Sequence, residues 1–325
     1  MKNVRLLITE KCNASCDNCF NANYRCDREL SMSNVECVAM LLSKSGVETI
    51  FVEGGEPTIH SCFQEIMKFL QLHFSKVVLF TNALSSELLS FSPRISDGIV
   101  YNFNFLNDEF DDAKLLKNMP GKRSFMIQVS TYTNVDDLIS RIKSFAAYLQ
   151  KEEFSLILTL DCTVDIFQNS EILAKKWNQI VAICIINRWN LKIDHGFPLC
   201  LKERHQCLMI EIYKNRVEDI SEKRGLYWCD HHRAGLIDSN LKLRFCNNFS
   251  RESLSIIEDT KVVSSEKIER FLLNTEKMKD AQLPDSCRSC SYYLNHTCNA
   301  TCFGCREEKR ETCLFDFGSE GYYED

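Results

Sequence analysis

Three cysteines, Cys12, Cys16 and Cys19, share the run Cys12-Asn-Ala-Ser-Cys16-Asp-Asn-Cys19, a C-x3-C-x2-C spacing. Three thiolates on one short loop suit an iron–sulfur cluster, whose irons are held by cysteine sulfurs. A four-iron cubane held by three cysteines keeps one corner open for another ligand. The competing chemistry is a structural zinc knuckle, which wants four ligands, usually as two C-x2-C pairs. Apart from Cys26 no second pair lies close by. A disulfide framework fits less well, because the chain opens Met-Lys-Asn-Val-Arg-Leu-Leu-Ile with no long apolar run and no small-residue cleavage site. With no secretory signal visible, a content of 18 cysteines points to metal or catalysis rather than to crosslinks.

Downstream, Val52-Glu-Gly-Gly-Glu-Pro57 follows an apolar run and opens a loop. Gly54 and Gly55 lack a Cβ, so the backbone there can approach a neighbour closely and take positive φ. Alone, this is an ordinary glycine turn after a strand. In this order and separation, the cysteine triplet and the Gly-Gly-Glu-Pro loop resemble the radical S-adenosylmethionine (SAM) enzymes. The resemblance implies that Cys12, Cys16 and Cys19 hold a [4Fe-4S] cluster that is the catalytic centre. Its open iron would chelate the amino and carboxylate groups of SAM. An electron from the reduced cluster would then split SAM into methionine and a 5′-deoxyadenosyl radical. It also implies that Gly54, Gly55, Glu56 and Pro57 border SAM. Thr81-Asn82-Ala83 resembles the family's third-strand end, with Ala83 where glycine is usual. Asn104 and Ser130 end later strands at positions of ribose or carboxylate contact, although a capping role reads as well for both. The family's aromatic residue before the third cysteine, which stacks on adenine, is Asn18 here, and Phe20 is the substitute.

The elements that must position these residues alternate between two periods. Residues 5–9, 49–52, 76–81, 98–105, 124–130 and 154–160 read as strands. Ser33 and Glu36 form a capping-box pattern, after which Val35, Val38, Ala39 and Leu42 recur at helical spacing until Gly46. Phe63, Ile66, Met67, Leu70 and Phe74 make a second helical stripe over 60–74, and Asn134 caps a third carrying Val135, Leu138, Ile139, Ile142, Phe145 and Leu149. Strands separated by helices imply right-handed βαβ units and a parallel sheet. Six units are too few to close an eight-stranded barrel, so the fold class is α/β, a partial (β/α)6 TIM-type barrel. Ligands of such sheets sit at the carboxyl ends of the strands, where the cysteine loop, the Gly-Gly-Glu loop and Thr81-Asn82 all fall.

Past residue 195 the alternation fades and cysteines crowd together, which divides the chain into 1–195 and a small cysteine-rich iron–sulfur domain, 196–325. Cys287-x2-Cys290-x7-Cys298-x3-Cys302 with Cys313 resembles the SPASM module, an auxiliary-cluster domain of many radical SAM enzymes, with a middle gap two residues longer than usual. Residues 235–246 resemble its small hairpin ahead of a ligand cysteine, with Asn240 in place of the turn glycine. The resemblance implies a first auxiliary [4Fe-4S] cluster on Cys229, Cys246 and Cys302, and a second on Cys287, Cys290, Cys298 and Cys313. Cys305, Cys200 and Cys207 are candidates for the remaining ligand, and an open corner is the alternative. Two C-x2-C pairs, Cys287/Cys290 and Cys302/Cys305, also read as a zinc ribbon. Cys298 to Cys305 repeats the N-terminal spacing, yet no further barrel follows it. Cys26, Cys37, Cys62, Cys162 and Cys184 read as small buried hydrophobes.

A formal net charge of −6 without a basic stripe argues against nucleic acid, and no apolar stretch approaches the roughly 20 residues of a membrane helix. The expected protein is cytoplasmic and oxygen-sensitive. It would take one hydrogen atom from its substrate and be reduced by a flavodoxin- or ferredoxin-type donor. The family analogy favours a ribosomally made peptide that is crosslinked, oxidised or epimerised, with either a separate recognition partner or a short peptide substrate. A small-molecule dehydrogenase or epimerase, acting on a sugar or aminoglycoside precursor, is the alternative. A zinc-binding interaction protein with a degenerate barrel is a third.

Overall fold

The computed structural model describes residues 3–16, 19, 25–102, 122–148, 154–161, 164, 166, 168–195, 197, 235–244, 253–258, 261–264, 266–268, 270–271 and 285–294. Short apolar runs form the strands β1 (Asn3–Thr9), β2 (Thr49–Gly54), β3 (Lys76–Thr81), β4 (Gly98–Asn102), β5 (Lys122–Val129), β6 (Phe154–Leu160) and β7 (Leu191–His195). They lie side by side in chain order, and each pairs in parallel with the next. Helices α1 (Met32–Lys44), α2 (Phe63–His73), α3 (Val135–Tyr148) and α4 (Ser170–Ile186) occupy crossovers between them. A sheet that grows always in one direction through right-handed crossovers carries its helices on one face. The opposite face is the inside of an open barrel, with β7 at one edge.

Burial follows that division with period two. Val4, Leu6 and Ile8 of β1, Ile50 and Val52 of β2, and Val77 and Leu79 of β3 are fully buried in one core with Val35, Val38, Ala39 and Leu42 of α1 and Phe63, Ile66, Met67 and Leu70 of α2. Each of the larger side chains among them contributes about 1.5–3 kcal/mol relative to exposure. Arg5, Phe51, Phe80, Met126 and Ile157 point to the other face and stay partly accessible. There Arg5 Nε donates to Glu53 Oε1 at 2.7 Å, a pair that links β1 and β2 inside the barrel.

Several expectations shift. The sixth expected strand is followed by α4 and a seventh strand, neither anticipated from the sequence. Helix α1 is capped by Ser31, whose side chain accepts from the Asn34 amide, and not by Ser33, which lies inside the helix. Beyond residue 195, β8 (Leu236–Ile237) and β9 (Lys242–Arg244) form the expected hairpin, and β10 (Leu254–Ser255) adds to it. Its positive φ falls on Leu241 (59°) instead of Asn240, because the Asn240 and Lys242 amides both donate to Asp238 Oδ1 and so fix the turn around it. The hairpin extends the barrel's own sheet, since β8 pairs in parallel with β1. Strands β11 (Ile257–Glu258) and β12 (Lys261–Val262) pair separately, and the short helices α5 (Asp285–Arg288) and α6 (Ser291–Leu294) follow. Among the described residues no helix is long and apolar enough to cross a membrane.

One buried carboxylate fastens the crossover from α2 through β3 to β4. Asp97 accepts from the Val77 amide (2.9 Å), Gln71 Nε2 (2.8 Å), and the amide, Nε and Nη2 of Arg94. Burial pushes its carboxyl pKa up, but the bonds from Arg94, Val77 and Gln71 outweigh burial and hold it below the ordinary 3.8. Replacing Asp97 by Ala strands these donors and should lower the unfolding free energy by about 3 kcal/mol in a urea titration. The wild-type contribution is complete above the unfolded-state pKa and is lost as pH falls through the lower folded-state value. The stability gap between wild type and Asp97→Ala should therefore narrow only at strongly acid pH.

Candidate active site

Strands β1, β2 and β3 end side by side, and their following loops are joined main chain to main chain. The Gly55 amide donates to the Thr9 carbonyl and the Glu56 amide to the Lys11 carbonyl, both at 2.8 Å. This pairing carries the chain one residue short of Cys12. A Cβ on Gly54 would press against the Thr9 carbonyl oxygen, and one on Gly55 would overlap the Lys11 carbonyl. Both glycines thus permit a close approach to the cysteine loop itself, and neither takes a positive φ.

Glu56 is 1% exposed and has every oxygen engaged. Its Oε1 accepts from the Thr58 amide (3.1 Å), Thr58 Oγ1 (2.6 Å) and Thr81 Oγ1 (2.8 Å), and Oε2 accepts from the Asn82 amide (2.6 Å). Burial pushes its pKa up against the pull of the Asn82, Thr58 and Thr81 donors. Pro57 begins a single 3-10 turn, Pro57–Ile59, that brings Thr58 back to the carboxylate. Beyond that clamp, Asn82 Nδ2 donates to Asn13 Oδ1 at 2.8 Å and lies 4.0 Å from Cys12 Sγ. Ala83 adopts φ 59°, the left-handed conformation for which glycine is the usual residue. Thr81 and Asn82 are therefore brought to the cysteine loop with Gly54, Gly55, Glu56 and Pro57.

The far end of the loop is anchored separately. Glu10 accepts from Cys26 Sγ (2.7 Å), Arg28 Nε (3.0 Å) and Ser239 Oγ (2.7 Å), while Arg28 Nη1 donates to Asn240 Oδ1 (3.1 Å). Burial works to raise the Glu10 pKa, but the Cys26, Ser239 and Arg28 bonds leave it lowered. Cys26 is half-buried and hydrogen-bonded, and Cys37 and Cys62 are half-buried, corrections to their reading as buried hydrophobes; Cys184, at 1% exposure, fits that reading. His60 Nδ1 accepts from the Cys62 amide, which leaves Nε2 to donate to the Leu30 carbonyl at 3.0 Å and ties the Gly-Gly-Glu loop to the end of the cysteine loop. None of Glu10, Arg28 and His60 belongs to a motif. Only the topology reveals them.

Cys12, Cys16 and Cys19 are half-exposed on this loop. Cys16 has its pKa driven far upward by a hydrogen bond with Cys19, by burial, and by the charge of Cys19 and Cys12. Cys12 is raised by burial. In the bare protein each thiolate thus opposes the next, and a multiply charged cation cluster removes that opposition. Among the described residues no three His, Cys, Asp or Glu side chains are placed to hold a single metal ion. Three thiols on one loop are the kind of donor set that an iron–sulfur cluster takes.

Ser130 ends β5 as a turn residue, its Oγ accepting from the Tyr132 amide at 3.2 Å. Cys287 and Cys290 are half-exposed, and the Cys290 amide donates to the Cys287 carbonyl at 3.2 Å in a tight C-x2-C turn. Phe20, Asn104, Cys229, Cys246, Cys298, Cys302, Cys305 and Cys313 lie outside the described residues, as do Cys162, Cys200 and Cys207.

Three substitutions test this geometry, one of them a control away from the site. Gly55→Ala should cost roughly 3 kcal/mol of stability by forcing the Lys11 carbonyl away. Gly46→Ala, at φ 75° with open space around it, should cost only about 1 kcal/mol. Glu56→Gln sets an amide donor against the amides of Asn82 or Thr58 and should cost about 2 kcal/mol. Chemical denaturation of the three variants beside wild type checks both expectations.

No family model matches the chain. It is 32% identical over 110 residues to a probable GTP 3′,8-cyclase of Methanothermobacter marburgensis, a match covering 33% of this chain and 36% of that protein. The chain spans about a third or less of the length of the curated relatives it matches. Among solved structures it is similar to Streptococcus suis SuiB bound to S-adenosylmethionine, with a TM-score of 0.61 and 15% identity over 93% of this chain and 73% of SuiB. It is also similar to anSMEcpe with bound AdoMet and the Cp18Cys peptide, with a TM-score of 0.57 and 12% identity over 95% and 91% of the two chains. At such identities the likeness is one of fold, and the sequence kinship comes from the cyclases. Over about a third of its length the chain is thus similar in sequence to these cyclases, and over most of it similar in fold to two proteins solved with S-adenosylmethionine, a likeness in line with the resemblance carried by the cysteine loop at the end of β1.

Proposed function

We propose that this chain is a radical SAM enzyme that takes a hydrogen atom from a peptide, with Cys12, Cys16 and Cys19 holding a [4Fe-4S] cluster. One observation carries the reading: the Glu56 carboxylate and the paired loop backbones bring three thiols and the Gly-Gly-Glu loop together at the ends of β1, β2 and β3. When bound, the cluster and SAM supply the reductive cleavage that yields a hydrogen-abstracting 5′-deoxyadenosyl radical. The chain's own residues then have separable tasks. Glu56, with both oxygens occupied, orients the Thr81–Asn82 end of β3. Asn82 and Asn13 brace the loop beside Cys12 and leave polar groups near the open iron corner. Gly54 and Gly55 keep the two loops close enough to exclude water between them, and the partly accessible barrel interior lined by Phe51, Phe80, Met126 and Ile157 faces the substrate.

The peptide assignment draws on the solved neighbours, since SuiB is described bound to the precursor peptide SuiA and anSMEcpe bound to Cp18Cys peptide. In this reading Cys229, Cys246, Cys287, Cys290, Cys298, Cys302, Cys305 and Cys313 hold one or two auxiliary [4Fe-4S] clusters in a SPASM-type domain. The protein is cytoplasmic and receives its electron from a flavodoxin- or ferredoxin-type donor. A second reading, a small-molecule substrate, is favoured by the curated relatives, which are named for a reaction of GTP.

Anaerobically reconstituted wild type should lose about four irons per chain on Cys12/Cys16/Cys19→Ala substitution, with complete loss of 5′-deoxyadenosine formation from SAM. Unchanged iron content, or zinc in its place, would sink the cluster assignment. A Cys287/Cys290→Ala variant should also lose iron while still cleaving SAM. Stimulation of SAM cleavage by a nucleotide and by no peptide would shift the substrate to the second reading.

A further inference from the structure

Three cations surround the cysteine loop, and two are already neutralised. Lys11 Nζ lies 3.5 Å from Glu29, and Arg28 Nη2 lies 2.8 Å from Glu10. The third, Arg25, makes no ion pair with a carboxylate among the described residues. Its Nη1 donates to the Ala14 carbonyl at 2.6 Å, midway between Cys12 and Cys16. The guanidinium is within hydrogen-bonding reach of the Cys19 thiol, while Nε and Nη2, shut off from solvent, make no well-aligned hydrogen bond among the described residues. Guanidinium donors shut off from solvent are unfavourable without an acceptor, so these two nitrogens call for one. The groups that act on the guanidinium are Cys19, Cys12 and Cys16, all sulfur.

We propose that Arg25 is a positioning residue of the cluster, donating from Nε and Nη2 to cluster or cysteinyl sulfur and making the cluster easier to reduce. This inference rests on Cys12, Cys16 and Cys19 being the cluster ligands. A positive charge and hydrogen bonds at sulfur both favour the more negative, reduced state, and so raise the reduction potential. The bond to Ala14 holds the guanidinium in place, so its side chain need not reorganise when an electron arrives. A low-potential external donor supplies that single electron, and Arg25 changes how readily it is accepted.

The test is a redox titration of the reconstituted protein, following the EPR signal that disappears in the Cys12/Cys16/Cys19→Ala variant. Arg25→Met should retain wild-type iron content while its equilibrium constant for reduction falls about tenfold, which is 59 mV for a one-electron couple. Arg25→Lys, which keeps the charge, should lie closer to wild type. A loaded Arg25→Met protein that titrates within about twofold of wild type overturns the proposal and leaves Arg25 as a clip on Ala14. If Arg25→Met does not load, a loaded Arg25→Lys protein with near wild-type potential supports the charge role, and failure of both to load overturns it. A wild-type protein with no signal dependent on the three cysteines removes the cluster assignment itself, and with it this role for Arg25.

Discussion

The arrangement at the top of the barrel depends on one buried carboxylate. Glu56 has no contact with solvent to speak of, and its two oxygens collect donors from Thr58, Thr81 and Asn82. A carboxylate in an apolar interior is unfavourable unless it is fully hydrogen-bonded. Here the requirement works in reverse, because only one relative placement of the β2 and β3 ends satisfies all of its bonds. The same residue's amide bonds to Lys11, so the constraint reaches the first cysteine.

A second acidic residue governs the other end of the loop. Glu10 gathers Cys26 and Arg28 from the returning chain and Ser239 from the hairpin more than two hundred residues away in sequence. The hairpin is itself a continuation of the sheet at the edge of β1. The segment following the parallel strands is therefore tied into the cysteine loop both by strand pairing and by side chains. Movement of that segment would be felt at Glu10 before it reached any cysteine.

Between these anchors lie thiols that oppose one another's ionisation and a guanidinium that reaches Cys19. The first feature disfavours ionised thiols in the bare protein, and the second sets a fixed positive charge beside them. In the proposed reading, a sulfur-rich, electron-accepting cluster occupies the space between them. Protein electrostatics and backbone geometry then have separate tasks, the first to tune the electron's arrival and the second to hold the loop.

The local pattern determined much of this in advance. Six strand runs, the apolar stripes of α1 and α2, and the order of the cysteine and glycine loops were legible because periodicity and glycine punctuation are written in adjacent residues. Helix α4 and β7 were not. The Ile-Cys-Ile-Ile end of α4 has no polar face to mark its period, and Leu-Lys-Ile-Asp-His is too short and too polar to announce a strand. The capping role of Ser31 over Ser33, and the left-handed Leu241, were decided by hydrogen bonds that competing neighbours could have made equally well. The sequence by itself determined which residues could do chemistry, because thiols at that spacing have few other uses. Only the tertiary structure decided that Glu56 braces rather than stands exposed, that Glu10 reaches the hairpin, and that Arg25 faces sulfur. Each of those depends on contacts between residues far apart in the chain, which parallel strands create only after distant segments have been laid side by side.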